Sequence, residues 1–207
     1  KGVYNTETSN CGVCTKMVRA VREALEVLVL ALLLFAVLHS SVQNYRVEGP
    51  SGKPTLQDGQ YLLVNKLEYL HIDLVKVVAF LPGVGGQTAD NLYLIHPPQR
   101  GDIVVFRDPV GLRLDFVKRI IALPEETVAI RVGEVYVDGK LIEEPYLQEA
   151  FSETWEPYTV PPGNYFVMGD NRGHSNDSRH WGSVPAQNII GRAWLSYWPH
   201  DRAGFIR

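Results

Sequence analysis

The sequence predicts a mainly β protein, in which a single N-terminal transmembrane helix is followed by an antiparallel β-rich, barrel-like domain. Three observations carry that expectation. One long apolar run stands near the N-terminus. From residue 45 onward the pattern is of short apolar runs bounded by turn residues, as strands require. No segment of that part keeps a long helical period, and 13 Pro and 18 Gly interrupt the chain often.

Residues 1–23 read as a short cytosolic tail. Its Cys11 and Cys14 form a CxxC, but no nearby Cys or His completes a zinc site, and the tail lacks the strand–helix context of a redox motif. They read as two free thiols. Residues 27–38 then carry twelve side chains without a polar atom. Extension to 24–42 gives nineteen residues, about 28 Å of helix against a hydrocarbon core of about 30 Å. Glu26, His39, Ser40 and Ser41 fall near the interfaces, where polar groups cost little. Three readings compete: a membrane anchor in the lipid bilayer, a signal-peptide hydrophobic region, and a buried soluble helix. A 23-residue tail and the want of a small-x-small site speak against the second. A helix apolar all round needs protein on every side, which speaks against the third. Lys16, Arg19 and Arg22 before the run, against Arg46 and Lys53 after it, lean toward a cytoplasmic N-terminus.

Residues 43–207 read as the β-rich domain. Strands are expected at 61–64, 103–106, 116–122, 127–132, 135–137, 165–168 and 189–198. Asp138-Gly139 signals a hairpin, and Gly133-Glu134 offers another two-residue turn. Residues 83–87 and 152–162 read as loops. A net charge of −3 argues against a nucleic-acid binder working by a bulk basic surface. With two Cys, both in the tail, the domain builds its core without disulfides.

Three segments hold candidate chemistry. Ser51 lies in Gly49-Pro50-Ser51-Gly52-Lys53-Pro54. It is either a nucleophile on a shaped turn, beside backbone N–H groups free to bind an oxyanion, or a plain turn serine. Lys118 and Arg119 sit in a strand apolar on both faces. A buried lysine loses hydration of its charged form and becomes a base near neutrality; the alternative is a snorkelling or edge-strand lysine. Residues 169–182 form a polar loop in which Asp177 and Arg179 offer an ion pair, and His174 and His180 invite a Ser-His-Asp triad. No HExxH or GxSxG is present, so neither metal nor cofactor is expected.

Taken in order, these segments resemble bacterial type I signal peptidases. Residues 51–56 are similar to the family's Ser-Met-x-Pro-Thr-Leu box, and 100–106 match its RGDIVVF box. Residues 114–119 match its lysine box, and 169–179 its GDNRxxSxDSR box. The resemblance implies a single-pass serine endopeptidase of the bacterial plasma membrane, with its catalytic domain on the extracytoplasmic side. Ser51 would be the nucleophile and Lys118 the general base. Ser175 would orient the ammonium, Asp177 and Arg179 would brace the loop, and the Ser51 N–H would be an oxyanion donor. Small apolar pockets, with Gly52 and Pro54 in their walls, would select Ala-x-Ala-like sites in signal peptides of secreted precursors. The secretion machinery is a further candidate partner.

The chain departs from the family at four positions. Gly49 stands where some relatives place a hydroxyl. Gly52 replaces the usual Met and is expected to leave a void beside the nucleophile. Ala122 and Glu125 stand where Gly is usual, and a positive φ at either would strain the backbone. The rivals are a self-cleaving Ser-Lys protease of related fold, a non-catalytic membrane-tethered binding module, and a Ser-His hydrolase.

Overall fold

The computed structural model describes residues 9–69, 71–72, 92–93, 95–109, 111 and 114–206. The expected loop at 83–87 lies outside the described residues. The chain divides into two units, residues 1–41 and 42–207.

The first unit is helix α1 (Ser9–Ser41). It starts well before residue 24, because bilayer thickness sets the length of a span and not where a helix ends. Its N-terminal half is carried by helix formers and by the i,i+4 pairs Arg19–Glu23 and Arg22–Glu26, at 3.1 and 2.8 Å. The apolar side chains of 27–38 are exposed on every face. Among the described residues no helix is long and apolar enough to cross a membrane. The uninterrupted apolar part of α1 is twelve residues, or about 18 Å.

Among its described residues the second unit contains fourteen strands: β1 (Val42–Arg46), β2 (Tyr61–Asn65), β3 (His71–Ile72), β4 (Leu92–Tyr93), β5 (Ile103–Arg107), β6 (Asp115–Ala122), β7 (Thr127–Arg131), β8 (Glu134–Val137), β9 (Lys140–Leu141), β10 (Trp155–Thr159), β11 (Asn164–Met168), β12 (Val184–Pro185), β13 (Ile189–Trp198) and β14 (Gly204–Phe205). Among the described residues one α-helical turn, α2 (Ser178–Trp181), and three 3-10 turns interrupt them. The main sheet runs β1-β2-β13-β5-β6-β11-β12, with β14 on β13; a second sheet runs β10-β7-β8-β9. All pairings are antiparallel. Among the described residues β1 and β12 do not pair, so the expected barrel is a half-barrel. Strand β12 is two residues long and ends on Pro185, which has no N–H to offer a further strand.

Alternation within the strands builds three buried clusters. In β5, Val104 and Phe106 join one cluster while Ile103 and Val105 join another. Both faces of β5 are therefore buried, which is why its sequence reads as one apolar run. In β11, Tyr165 and Val167 face the first of these clusters, and Phe166 and Met168 face the second sheet.

Three expectations need correction. Residues 152–162 are not all loop, since β10 lies within them. Pro157 hid the strand, and its register shifts between Trp155 and Tyr158. The turn expected at 133–134 falls one residue earlier, on Val132 and Gly133 (φ +49° and +82°), because Arg131 pairs with Glu134. Val42, placed in the helix by span length, opens β1.

Candidate active site

The turn carrying Ser51 is fixed by its own backbone. Lys53 N donates to Pro50 O (3.2 Å) and Leu56 N to Gly52 O (2.7 Å). Gly49, at φ +88°, donates its N–H to Asp58 Oδ1 (2.9 Å). Leu56 is buried in the cluster that also holds Val47, Leu62 and Val105, and so pins the turn to the sheet. Strand β6 brings Lys118 beneath it. Lys118 Nζ lies 2.8 Å from Ser51 Oγ, although 67 residues separate the two. Lys118 is 4% exposed, and burial pushes its pKa down to about 8, against the opposing pull of Asp177 and Asp170. The Phe116 ring lies 5.8 Å from Nζ.

Arg119, the next residue, is handled differently. Its guanidinium holds both carboxylate oxygens of Asp170, at 2.9 and 2.8 Å. It also donates to Gly101 O (2.8 Å) and stacks on Tyr146, 3.9 Å from the ring centre. Thr55 Oγ1 donates to the same carboxylate, tying the Ser51 turn to the pair.

The polar loop is a lattice of ion pairs. Arg179 holds Asp177 through Nε and Nη2, both at 2.9 Å, and donates to Arg172 O (2.7 Å). Arg172 pairs with Glu144. Burial opposes ionisation of Asp177, but the Arg179 bonds and charge and the Gly169 N–H (3.0 Å) hold its carboxyl below the usual range. Ser175 lies near enough to Asp177 to favour its charge slightly, yet its buried hydroxyl meets no hydrogen-bond geometry and stands unpaired. Asn171 reaches back to the turn: its N–H donates to Ser51 O (3.1 Å) and its Nδ2 to Pro50 O (3.2 Å). Gly169 is where these parts meet. A Cβ there would lie 2.2 Å from Ser175 Oγ and 2.7 Å from Ser51 O, so only glycine lets loop and turn approach.

An apolar cleft opens beside the pair. It is lined by Tyr45, Val47, Leu62, Val105, Phe116 and Val117 together with Ser51 and Lys118. Pro54 lies outside that cleft, in a polar hollow with Lys53, Gln57, Gln148, Glu149 and Asn171. Gly52 is buried under Leu56, and a Cβ at 52 would come within 2.8 Å of Leu56 Cβ. The void expected at Gly52 is therefore filled from within the turn. Of the other departures, Ala122 sits in β6, and Glu125 takes φ +69°.

The histidines stand apart from Ser51. His174 and His180 are both exposed. His174 Nδ1 lies 3.2 Å from Asn171 Oδ1. Among the described residues no group of three or more His, Cys, Asp and Glu could hold a metal ion. Sequence reading gave no individual role to Thr55, Gly169, Asp170 and Asn171. Their partners lie up to 121 residues away, and only the density of Gly and Asx in the loop hinted at them.

Comparison with known proteins assigns the chain a family. A family model described as "Signal peptidase, peptidase S26" matches residues 20–198. A "Probable signal peptidase I-1" of Synechocystis sp. is 38% identical, over 89% of this chain and 86% of that protein. A "Signal peptidase I" of Bacillus caldolyticus is 36% identical, over 78% and 82%. One of Leptolyngbya laminosa is 44% identical, over 54% and 59%.

Proposed function

The chain belongs to the signal peptidase family, peptidase S26, and is a serine endopeptidase that removes signal peptides; from that premise we propose that Ser51 and Lys118 form its catalytic dyad. The observation that carries this is one contact: a buried lysine amine, without a carboxylate ion pair among the described residues, 2.8 Å from a serine hydroxyl that lines an apolar cleft. Neutral Lys118 takes the proton of Ser51 as Oγ attacks the scissile carbonyl. The ammonium then passes that proton to the leaving amine, and water, deprotonated by the same lysine, hydrolyses the acyl-enzyme. The Ser51 N–H is the oxyanion donor. Support comes from the turn's own closure, in which Lys53 and Leu56 are the donors. Ser175, buried and unpaired, orients the Lys118 ammonium, and Asp177 with Arg179 holds its loop.

The substrate lies extended in the cleft. Strand β1 ends the main sheet, and residues 115–118 of β6 pair on one side, with β5. Among the described residues both therefore offer open edges, on which a peptide adds as a strand. The apolar lining accepts small residues at Ala-x-Ala-like sites.

The apolar part of α1, up to Ser41, anchors the chain in the bacterial plasma membrane, with the β domain outside the cytoplasm. The exposed apolar side chains of α1 support this; Glu26 and His39–Ser41 would lie at headgroup level. The decisive experiment is cleavage of a preprotein in detergent by the full chain and by Ser51→Ala. Cleavage by Ser51→Ala would overturn the dyad. Protease added outside spheroplasts is expected to degrade the β domain and spare the tail.

A further inference from the structure

An acyl-transfer site needs N–H donors that point at the carbonyl oxygen as it gains charge. Gly49 offers no hydroxyl for this, so backbone direction matters more here. A trans peptide points its N–H opposite to its C=O, and the bonds joining Pro50, Ser51 and Gly52 are not among the cis peptides of the chain. The direction of the Ser51 N–H is therefore set by what holds the Pro50 carbonyl. That carbonyl accepts from Asn171 Nδ2 and from the Lys53 N–H, and the next one, of Ser51, accepts from the Asn171 N–H. One residue grips two successive carbonyls.

The consequence is geometric. Asn171 lines the polar hollow and not the apolar cleft. With both carbonyls turned toward Asn171, the N–H groups of Ser51 and Gly52 turn away from it, and Ser51 itself lines the cleft. In its Nδ1–H tautomer His174 donates to Asn171 Oδ1 (3.2 Å) and so keeps the amide with its donor end on Pro50. We infer that Asn171 is a positioning residue for the transition state, aiming two successive N–H groups at the developing oxyanion. This rests on the reading of Ser51 as nucleophile, and it explains how the turn functions with glycine at 49.

Asn171 does not touch the substrate's ground state, so its loss acts on turnover rather than on binding. The full chain in detergent is assayed on an Ala-x-Ala peptide, first as wild type and Ser51→Ala. No cleavage by wild type, or cleavage by Ser51→Ala, removes the underlying reading of Ser51. With that reading in place, Asn171→Ala is expected to lower kcat by about 10- to 100-fold and to leave KM within about twofold. The acid limb of its pH profile stays where it is, because Lys118 is untouched. Affinity for a peptide aldehyde, whose adduct carries the oxyanion, falls in step with kcat, while affinity for an uncleavable peptide holds. Asn171→Gln restores part of the rate. Should Asn171→Ala fail to fold, Asn171→Asp keeps the size and the main-chain N–H but no side-chain donor, and must give the same loss. An unchanged kcat, a loss carried by KM, or a displaced acid limb overturns the inference.

Discussion

Lys118 and Arg119 are consecutive residues of β6, 4% and 3% exposed, and the molecule treats the two sides of the strand in opposite ways. On the Arg119 side the charge is matched: Asp170 takes the guanidinium with two bonds, Gly101 O and Thr55 Oγ1 (3.4 Å) accept a third and fourth, and Tyr146 covers its face. On the Lys118 side the carboxylates of Asp170 and Asp177 act from a distance, and the contact is a neutral hydroxyl. Burial is the same; the counter-ion differs. A buried cation with a bidentate carboxylate is a brace. One without becomes a base, because desolvation penalises its charged form and nothing nearby repays it fully.

The comparison breaks most severely at the pair itself. Lys118→Arg puts the braced kind of cation on the unbraced side, keeping charge but losing the ability to accept a proton. Activity is expected to fall by about 10⁴-fold or more, as for other units whose members act together. The double variant with Ser51→Ala should be little worse, read as initial rates on one precursor. A Lys118→Arg enzyme with substantial activity would end the distinction between the two sides.

The reverse test removes the brace. Asp170→Asn leaves Arg119 buried without its counter-ion and should cost about 3–5 kcal/mol of stability, measured by denaturant unfolding. Gly169→Ala should act alongside it, since its Cβ would strike Ser175 and the Ser51 carbonyl; loss of activity together with a lowered Tm is expected.

Lys118→Met should abolish cleavage and yet stabilise the fold. The folded-state pKa lies near 8 against an ordinary 10.5, so the unfolded chain binds more protons between those values. Stability of the native enzyme therefore rises with pH from about 8 to about 10.5, and below 8 the lysine costs up to about 3 kcal/mol. Methionine removes that cost, giving a higher Tm at pH 7 and a flatter pH dependence. Activity follows the same group: it should fall about tenfold per unit as pH drops below 8, and EDTA should leave it unchanged.

The smallest effect lies away from both sides of β6. Glu125 is exposed and holds φ +69°. Glu125→Gly should stabilise by about 1 kcal/mol with unchanged kcat/KM, which gives the baseline for a stability change that does not reach the site.

The sequence by itself determined the strands whose two faces are apolar, 103–106 and 165–168 among them, because a short apolar run bounded by turn residues is written locally. It also determined the Asp138-Gly139 hairpin, whose two residues suit positive φ (+50° and +75°). By resemblance it singled out Ser51 and Lys118. Tertiary structure alone decided whatever depends on partners far along the chain. It seated Leu56 where Gly52 promised a void, opened the barrel at Pro185, and joined Thr55 to Asp170 and Asn171 to Pro50. It also decided which of two adjacent cations is paired. Local pattern records how often a residue is buried; it does not record which carboxylate, hydroxyl or carbonyl the fold carries to it, and that sets charge and direction.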